Sequence, residues 1–182
     1  MSSFNDFGLS TAMCSNLNQL GFAQPTEIQA KAIAPGLAGK DIIAMAKTGS
    51  GKTAAFGISL GAKAIRELAR ARDNIKVLTL CGGVPIGPQI GSLSHGAHIV
   101  VGTPGRIQDH LRKQTLSLAR LKTVVLDEAD RMLDMGFQEA MEDILSQTPP
   151  SRQTMMFSAT WPAPIRELSK QYQKSPVDVR AE

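Results

Sequence analysis

Residues Ala46-Lys47-Thr48-Gly49-Ser50-Gly51-Lys52-Thr53 stand between an apolar run, Ile42 to Met45, and a stretch of helical periodicity that opens at Lys52. A strand that turns through glycines into a helix start aims several backbone N–H groups at one point, and that point attracts phosphate. Lys52 adds a mobile positive charge suited to β- and γ-phosphates, and Thr53 offers a hydroxyl to Mg²⁺. A nucleoside triphosphate is therefore the first ligand to consider. The plain alternative is a Gly/Ser connection between a strand and a helix, so a second, independent part of the site is needed.

Thr123-Val124-Val125-Leu126 supplies it. The run is β-branched, apolar and uncharged, which predicts a buried strand, and Asp127-Glu128-Ala129-Asp130 follows at once. In open α/β sheets ligands bind at the carboxyl ends of strands. A carboxylate at that position can reach the Mg²⁺ of a nucleotide held by the loop, which makes Asp127 the metal-side residue. Glu128 is the candidate to orient or deprotonate an attacking water. The bland reading of the cluster is a helix N-terminus enriched in acidic residues.

Around these two segments the pattern alternates. Helices are predicted over Leu9–Leu20 with Ser10 as N-cap, and over Glu27–Leu37 behind Thr26. Further helices are predicted from Lys52 to about Arg72 with Ile58, Ala62, Ile65 and Ala69 on one face, and over Gly105–Arg112, Arg131–Gln147 and Pro164–Tyr172. Strands are predicted at Asp41–Ala46, Ile75–Cys81, Ile99–Val101, Thr123–Leu126 and Thr154–Phe157. Strands alternating with helices imply an α/β fold: a mostly parallel twisted sheet with helices on both faces. At 182 residues the chain reads as one domain.

The formal charge of +4 is permissive for a polyanion such as RNA without specifying one. No signal peptide precedes Phe4 and no apolar run is long enough to span a bilayer, so a cytoplasmic protein without membrane contact is expected. Cys14 and Cys81 are isolated and are expected to be reduced and half-buried. His95, His98 and His110 show no metal-ligand spacing.

The chain resembles the first RecA-like domain of DEAD-box RNA helicases. The similar stretches are Gly21-Phe22, Pro25-Thr26 and Ile28-Gln29, then Ala46 to Thr53, Gly82-Gly83, Thr103-Pro104-Gly105-Arg106, Asp127-Glu128-Ala129-Asp130 and Ser158-Ala159-Thr160. They fall in the family's order over nearly the whole chain. The Asp130–Phe137 run and Trp161 strengthen the likeness, and Ala46 in place of the glycine that usually opens a phosphate loop is itself a family trait.

The resemblance implies a P-loop NTPase fold of RecA type, with residues 4–29 as its opening Q-motif segment, and it implies ATP and Mg²⁺ as cofactors. Gln29 would read adenine with its amide, and Phe4 would stack on the base. Ala46, Thr48, Gly49, Ser50, Gly51, Lys52 and Thr53 would cradle the phosphates. Lys52, Asp127 and Glu128 would be catalytic, with Thr53 and Asp127 on the metal. Gly82, Gly83, Thr103, Gly105 and Arg106 would hold an RNA backbone without reading its sequence. Ser158, Thr160 and Asp130 would couple the nucleotide site to the RNA site. Phe22 and Ile28 read as core packing rather than ligands.

Two departures stand out. The chain ends at Glu182, where a second RecA-like domain with its arginine finger would follow. Such a finger contributes on the order of a thousandfold or more to turnover, so the chain alone is expected to bind ATP weakly and hydrolyse it poorly. The family's Pro-Thr-Arg-Glu-Leu-Ala segment is also incomplete: Arg66-Glu67-Leu68-Ala69 follows Ala64-Ile65, with no strand before it. One strand–helix unit is read as lost, with two helices fused into one, and neither Arg66 nor Glu67 is assigned to the RNA site. The leading expectation is the ATP- and RNA-binding core of an ATP-dependent RNA helicase that needs a second domain. The rival is a non-catalytic fragment that binds RNA or a partner without turnover.

Overall fold

Ile42 and Ala44 are wholly buried, and so are Met156 and Phe157 on the neighbouring strand, which puts the core in the middle of a parallel sheet. The computed structural model describes residues 3–68 and 74–181. They fall into two compact units. The first takes in the chain up to Lys63, Thr123–Arg131 and the segment from Gln153 on, and the second takes in Ala64–Lys122 and Met132–Arg152.

The elements in chain order are a 3-10 turn at Phe4–Phe7, α1 (Thr11–Gln19), α2 (Glu27–Leu37), β1 (Ile42–Met45), α3 (Lys52–Leu68), β2 (Val77–Leu80), α4 (Gly87–Ser94) and β3 (Ile99–Gly102). They continue with α5 (Pro104–Arg112), β4 (Thr123–Leu126), α6 (Ala129–Asp134), α7 (Gln138–Ser146), β5 (Gln153–Ser158), α8 (Ala163–Tyr172) and β6 (Val177–Arg180). The first unit holds a four-stranded parallel sheet in the order β4-β5-β1-β6, and the second holds the parallel pair β2-β3.

All six residues of β5 are buried, as a central parallel strand requires. Ile28 and Ala32 of α2 and Ala55 of α3 pack against Ile42, Ala44, Met155 and Phe157. At the start of the strands, buried Asp41 accepts from the backbone N–H groups of Thr154 and Lys174 at 2.8 and 2.7 Å. Gln173 donates to the carbonyls of Ile42 and Thr154, both at 2.8 Å. These side chains satisfy backbone groups that the ladder leaves over.

Ser10 caps α1 by accepting from the Met13 N–H at 3.2 Å, and Thr26 precedes α2 as expected. Other expectations are corrected. The predicted helix Arg131–Gln147 is two helices, because Gly136 adopts a φ of +83° and reverses the chain between α6 and α7. The predicted helix from Lys52 is seen to Leu68, while Ala69 to Arg72 lie outside the described residues. The elements α4 and β6 and the 3-10 turn were not predicted. Cys14 is half-buried as expected, but Cys81 is exposed.

Candidate active site

The carboxyl ends of β1, β4 and β5 carry the chemistry. Met45 pairs with Ser158, and Leu126 pairs with Met156, so the phosphate loop, the acidic tetrad and Ser158 leave the sheet at the same end. The loop and the first two residues of the tetrad border a cleft of about 730 Å³ that Thr48, Gly49, Gly51, Lys52, Thr53, Asp127 and Glu128 line on its polar side. Gly49 and Gly51 have φ values of +82° and +94°, a conformation that side chains resist. A Cβ on Gly51 would sit 2.5 Å from Gln29 Nε2 and 2.9 Å from Thr26 Oγ1, so only glycine fits there.

Lys52 opens α3 and is 6% exposed. Its Nζ donates to the Ala46 carbonyl at 3.1 Å, from which position it can turn toward a phosphate. Ala46 itself is buried and contributes that carbonyl rather than a wall of the cleft. Ser50 Oγ is buried without a partner. An orphaned hydroxyl inside a loop of converging N–H groups fits an anionic ligand that would complete it.

Burial pushes the Asp127 carboxyl above the usual carboxylate range, against the pull of the Lys52 charge and the Glu128 N–H. That N–H donates to Asp127 Oδ1 at 3.0 Å. Glu128 adopts a φ of +49°, a left-handed conformation that costs a residue with a Cβ about 1 kcal/mol. Strain of this kind gathers at functional sites. Its carboxylate meets Arg131 Nη1 at 3.2 Å.

Asp130 is tied to the end of β5. Its Oδ2 accepts from Thr160 N–H at 2.9 Å and from the Thr160 hydroxyl at 2.8 Å, and its own N–H donates to Ser158 Oγ at 3.1 Å. Burial would raise its pKa, but the Thr160, Ser158 and Arg131 hydrogen bonds outweigh burial and hold it below the ordinary value. Neither hydroxyl caps α8, whose N-cap is Pro162. The structure thus brings Ser158, Thr160 and Asp130 together.

Two residues expected at adenine, Gln29 and Phe4, are not among those that line this cleft. Gln29 is 1% exposed. Its Oε1 accepts from the Thr26 N–H at 3.0 Å, and its Nε2 donates to the Gly51 carbonyl at 3.2 Å, so it braces the phosphate loop. Phe4 is 5% exposed, packed with Leu17, Ile33 and Ile58 and edge-on to Phe7 at 6.3 Å, because a free aromatic ring gains more from this apolar cluster than from water. Neither lines the cleft. Its apolar side is instead built from Met13, Leu17, Leu20, Phe22 and Ile58. Phe22, read as plain core, borders this space. The spacing Met13, Leu17, Leu20 is one helix face, and that face pointed to it.

The residues expected to hold RNA lie in the second unit. Thr103 is the N-cap of α5, with Pro104, Gly105 and Arg106 as its first turn. Gly83 adopts a φ of +79° in the turn after β2. Arg106 keeps only 12% of its side chain exposed. It donates to the Val84 carbonyl at 2.9 Å and to Gln89 Oε1 at 3.1 Å. His110 is fully buried beside it; burial first, then the Arg106 charge, holds its pKa below the ordinary value, with Asp109 opposing. Among the described residues no cluster of His, Cys, Asp or Glu could hold a metal by itself. No described helix is long and apolar enough to cross a membrane.

The model of the family described as DEAD/DEAH box helicase matches residues 26–72 and 59–168. The chain belongs to that family. It corresponds to the N-terminal RecA-like domain of DEAD-box proteins. It is 47% identical over 196 residues to the ATP-dependent RNA helicase DbpA of Escherichia coli, a match covering 94% of this chain and 43% of that protein. It is 42% identical over 201 residues to the DEAD-box ATP-dependent RNA helicase CshA of Bacillus subtilis, covering 97% of this chain and 41% of that one. A crystal structure of a DEAD box protein from the hyperthermophile Methanococcus jannaschii superimposes with a TM-score of 0.90 at 38% identity, over 99% of this chain and 56% of that chain. The chain thus spans about two-fifths of the length of these curated DEAD-box relatives.

Both alignments run longer than the 182 residues available, so the relatives carry residues without a counterpart here. The two family matches overlap at residues 59–72, so one segment answers to two places in the DEAD-box pattern.

Proposed function

We propose that this chain is the ATP- and RNA-binding core of a DEAD-box ATP-dependent RNA helicase, and that it couples ATP hydrolysis to local RNA duplex unwinding when joined to a second RecA-like domain. The observation that carries the reading is the meeting of Lys52, Thr53, Asp127 and Glu128 on one cleft. Thr53 and Asp127 would hold Mg²⁺, which supplies charge neutralisation for the phosphates when bound. Lys52 stabilises negative charge at the terminal phosphates. Glu128 accepts the proton of the attacking water at its carboxylate. Asp130, fixed by Ser158 and Thr160, links the acidic segment to the end of β5. The apolar arm of Met13, Leu20 and Phe22 takes the base. Gly82, Gly83, Thr103, Gly105 and Arg106 receive the RNA backbone, whose charge makes binding salt-dependent and indifferent to sequence.

The test is titration of ADP–Mg into the chain and into Lys52→Ala. The parent is expected to bind, and Lys52→Ala to lose at least about tenfold in affinity, the equivalent of one charge-assisted contact. Equal binding by the two proteins overturns the site. RNA-stimulated turnover is expected only when a second RecA-like domain is supplied. Its absence in that two-domain protein favours a binding fragment without turnover.

A further inference from the structure

Gln89 of α4 holds three parts of the second unit at once. Its Nε2 donates to the Cys81 carbonyl at 3.0 Å, immediately before the Gly82-Gly83 turn. Its Oε1 receives Arg106 Nη1 at 3.1 Å and lies 2.9 Å from His110 Nε2. A carbonyl oxygen only accepts, so Nε2 of His110 carries a proton, and Nδ1, 2.8 Å from Thr115 Oγ1, takes the other side of that pair. The amide cannot be turned over, because its oxygen would then face the Cys81 carbonyl and its NH₂ group the guanidinium. Both lone pairs of Oε1 are in use, and the orientation is fixed by three partners, one just after β2 and two on α5.

We propose that Gln89 is a positioning residue for RNA: it sets the spacing between the Gly82-Gly83 turn and the first turn of α5, and it fixes Nη1 of Arg106 while the Val84 carbonyl fixes Nη2, so that the second N–H of each is presented to a phosphate. His110, fully buried behind the amide, stops Gln89 from turning away. This rests on the reading of Arg106 and the glycine turn as RNA-backbone contacts. Nothing in the short motifs singles out Gln89, because its three partners are 8, 17 and 21 residues away.

The experiment measures binding of a fluorescently labelled single-stranded RNA to the full chain across a salt series. The proteins are the parent, Arg106→Ala, Gln89→Leu, Gln89→Asn, Gln89→Glu and the double variant Gln89→Leu with Arg106→Ala. Gln89→Leu removes no charge, yet it is expected to weaken binding by about tenfold, the lower end for a hydrogen bond to a charged group. It is also expected to lower the salt slope by about 0.7, the loss of one phosphate contact. Gln89→Asn is too short to span the partners and should behave alike, which keeps the test open if Gln89→Leu does not fold. Gln89→Glu keeps acceptors for Arg106 and His110 but sets an oxygen against the Cys81 carbonyl, so it should recover the parent slope only in part. The double variant should bind no more weakly than Arg106→Ala, and ADP–Mg affinity should stay at the parent value throughout. If Arg106→Ala weakens binding while folded Gln89→Leu or Gln89→Asn matches the parent in affinity and slope, the role of Gln89 is overturned and the RNA reading stands. If Arg106→Ala also matches the parent, or the parent binds no RNA, the RNA reading falls and this proposal with it.

Discussion

The side-chain amide of Gln29 is bonded to the carbonyl oxygen of Gly51 at 3.2 Å, which joins the start of α2 to the turn of the phosphate loop 22 residues later. The same amide accepts the Thr26 N–H. Loop and helix are held by one buried side chain.

Gln29→Ala removes both bonds and leaves the partly buried Gly51 carbonyl and the Thr26 N–H without them. A loss of about 1–3 kcal/mol in stability is expected, together with weaker ADP–Mg binding as the loop loses its brace. Urea denaturation and calorimetric titration measure the two effects. Parent-like stability and affinity together would show that the brace is dispensable.

Asp127 gives a pH-dependent effect of unusual sign. Its carboxyl is raised by burial, so its contribution to stability is fully present below the ordinary carboxylate pKa and is lost as pH rises through the raised folded value. Asp127→Asn should therefore raise the melting midpoint at neutral pH and abolish Mg²⁺-dependent nucleotide binding. The gain should vanish in acid, where both side chains are neutral. A lower midpoint for Asp127→Asn at neutral pH contradicts the assignment.

Asp130 behaves in the opposite sense. Its lowered pKa means that its stabilisation is present above the ordinary carboxylate value and is lost as pH falls through the folded one. Thr160→Val deletes the 2.8 Å hydroxyl bond and is expected to cost about 1 kcal/mol at neutral pH. The cost should shrink as acid protonates Asp130 in both proteins. Thermal melts from acid to neutral pH follow the trend, and a cost independent of pH counts against it.

Gly102 ends β3 where nothing larger fits. A Cβ there would lie 2.6 Å from Ile107 Cδ1 and 2.8 Å from the Leu80 carbonyl oxygen. Ile107 can shift but the backbone of β2 cannot, so Gly102→Ala should destabilise by about 1–3 kcal/mol. It should also weaken RNA binding by displacing the start of α5. Unchanged denaturation would show that the β2-β3 pair yields more easily than its spacing implies.

Much of this was legible in the residues. Ile42–Met45 and Thr123–Leu126 announce themselves as uncharged, aliphatic-rich runs, although in the second, expected to be buried, only Leu126 is fully so. Thr26 fixed the start of α2 by its capping chemistry. The failures have physical causes. The periodicity of residues 131–147 runs straight over Gly136, whose positive φ reverses the chain without disturbing the pattern. Residues Gly87–Ser94 contain Pro88 and two glycines and do not look helical, yet they fold as α4. Val177–Arg180 is a short edge strand with alternating polarity behind Pro176. The phosphate loop and acidic segment were readable because their function depends on local spacing. The contacts of Gln29, Phe4 and Gln89 were not, because their partners are distant in sequence.

The left-handed backbone of Glu128 sets two demands against each other. Glycine or asparagine at that position would relax the chain and make the fold sturdier, but it would remove the carboxylate. Selection for thermal endurance alone would therefore erode this residue, and its retention would report that the molecule is under pressure to work. In a library of variants sorted first for robustness and then for turnover, position 128 should move in opposite directions in the two rounds.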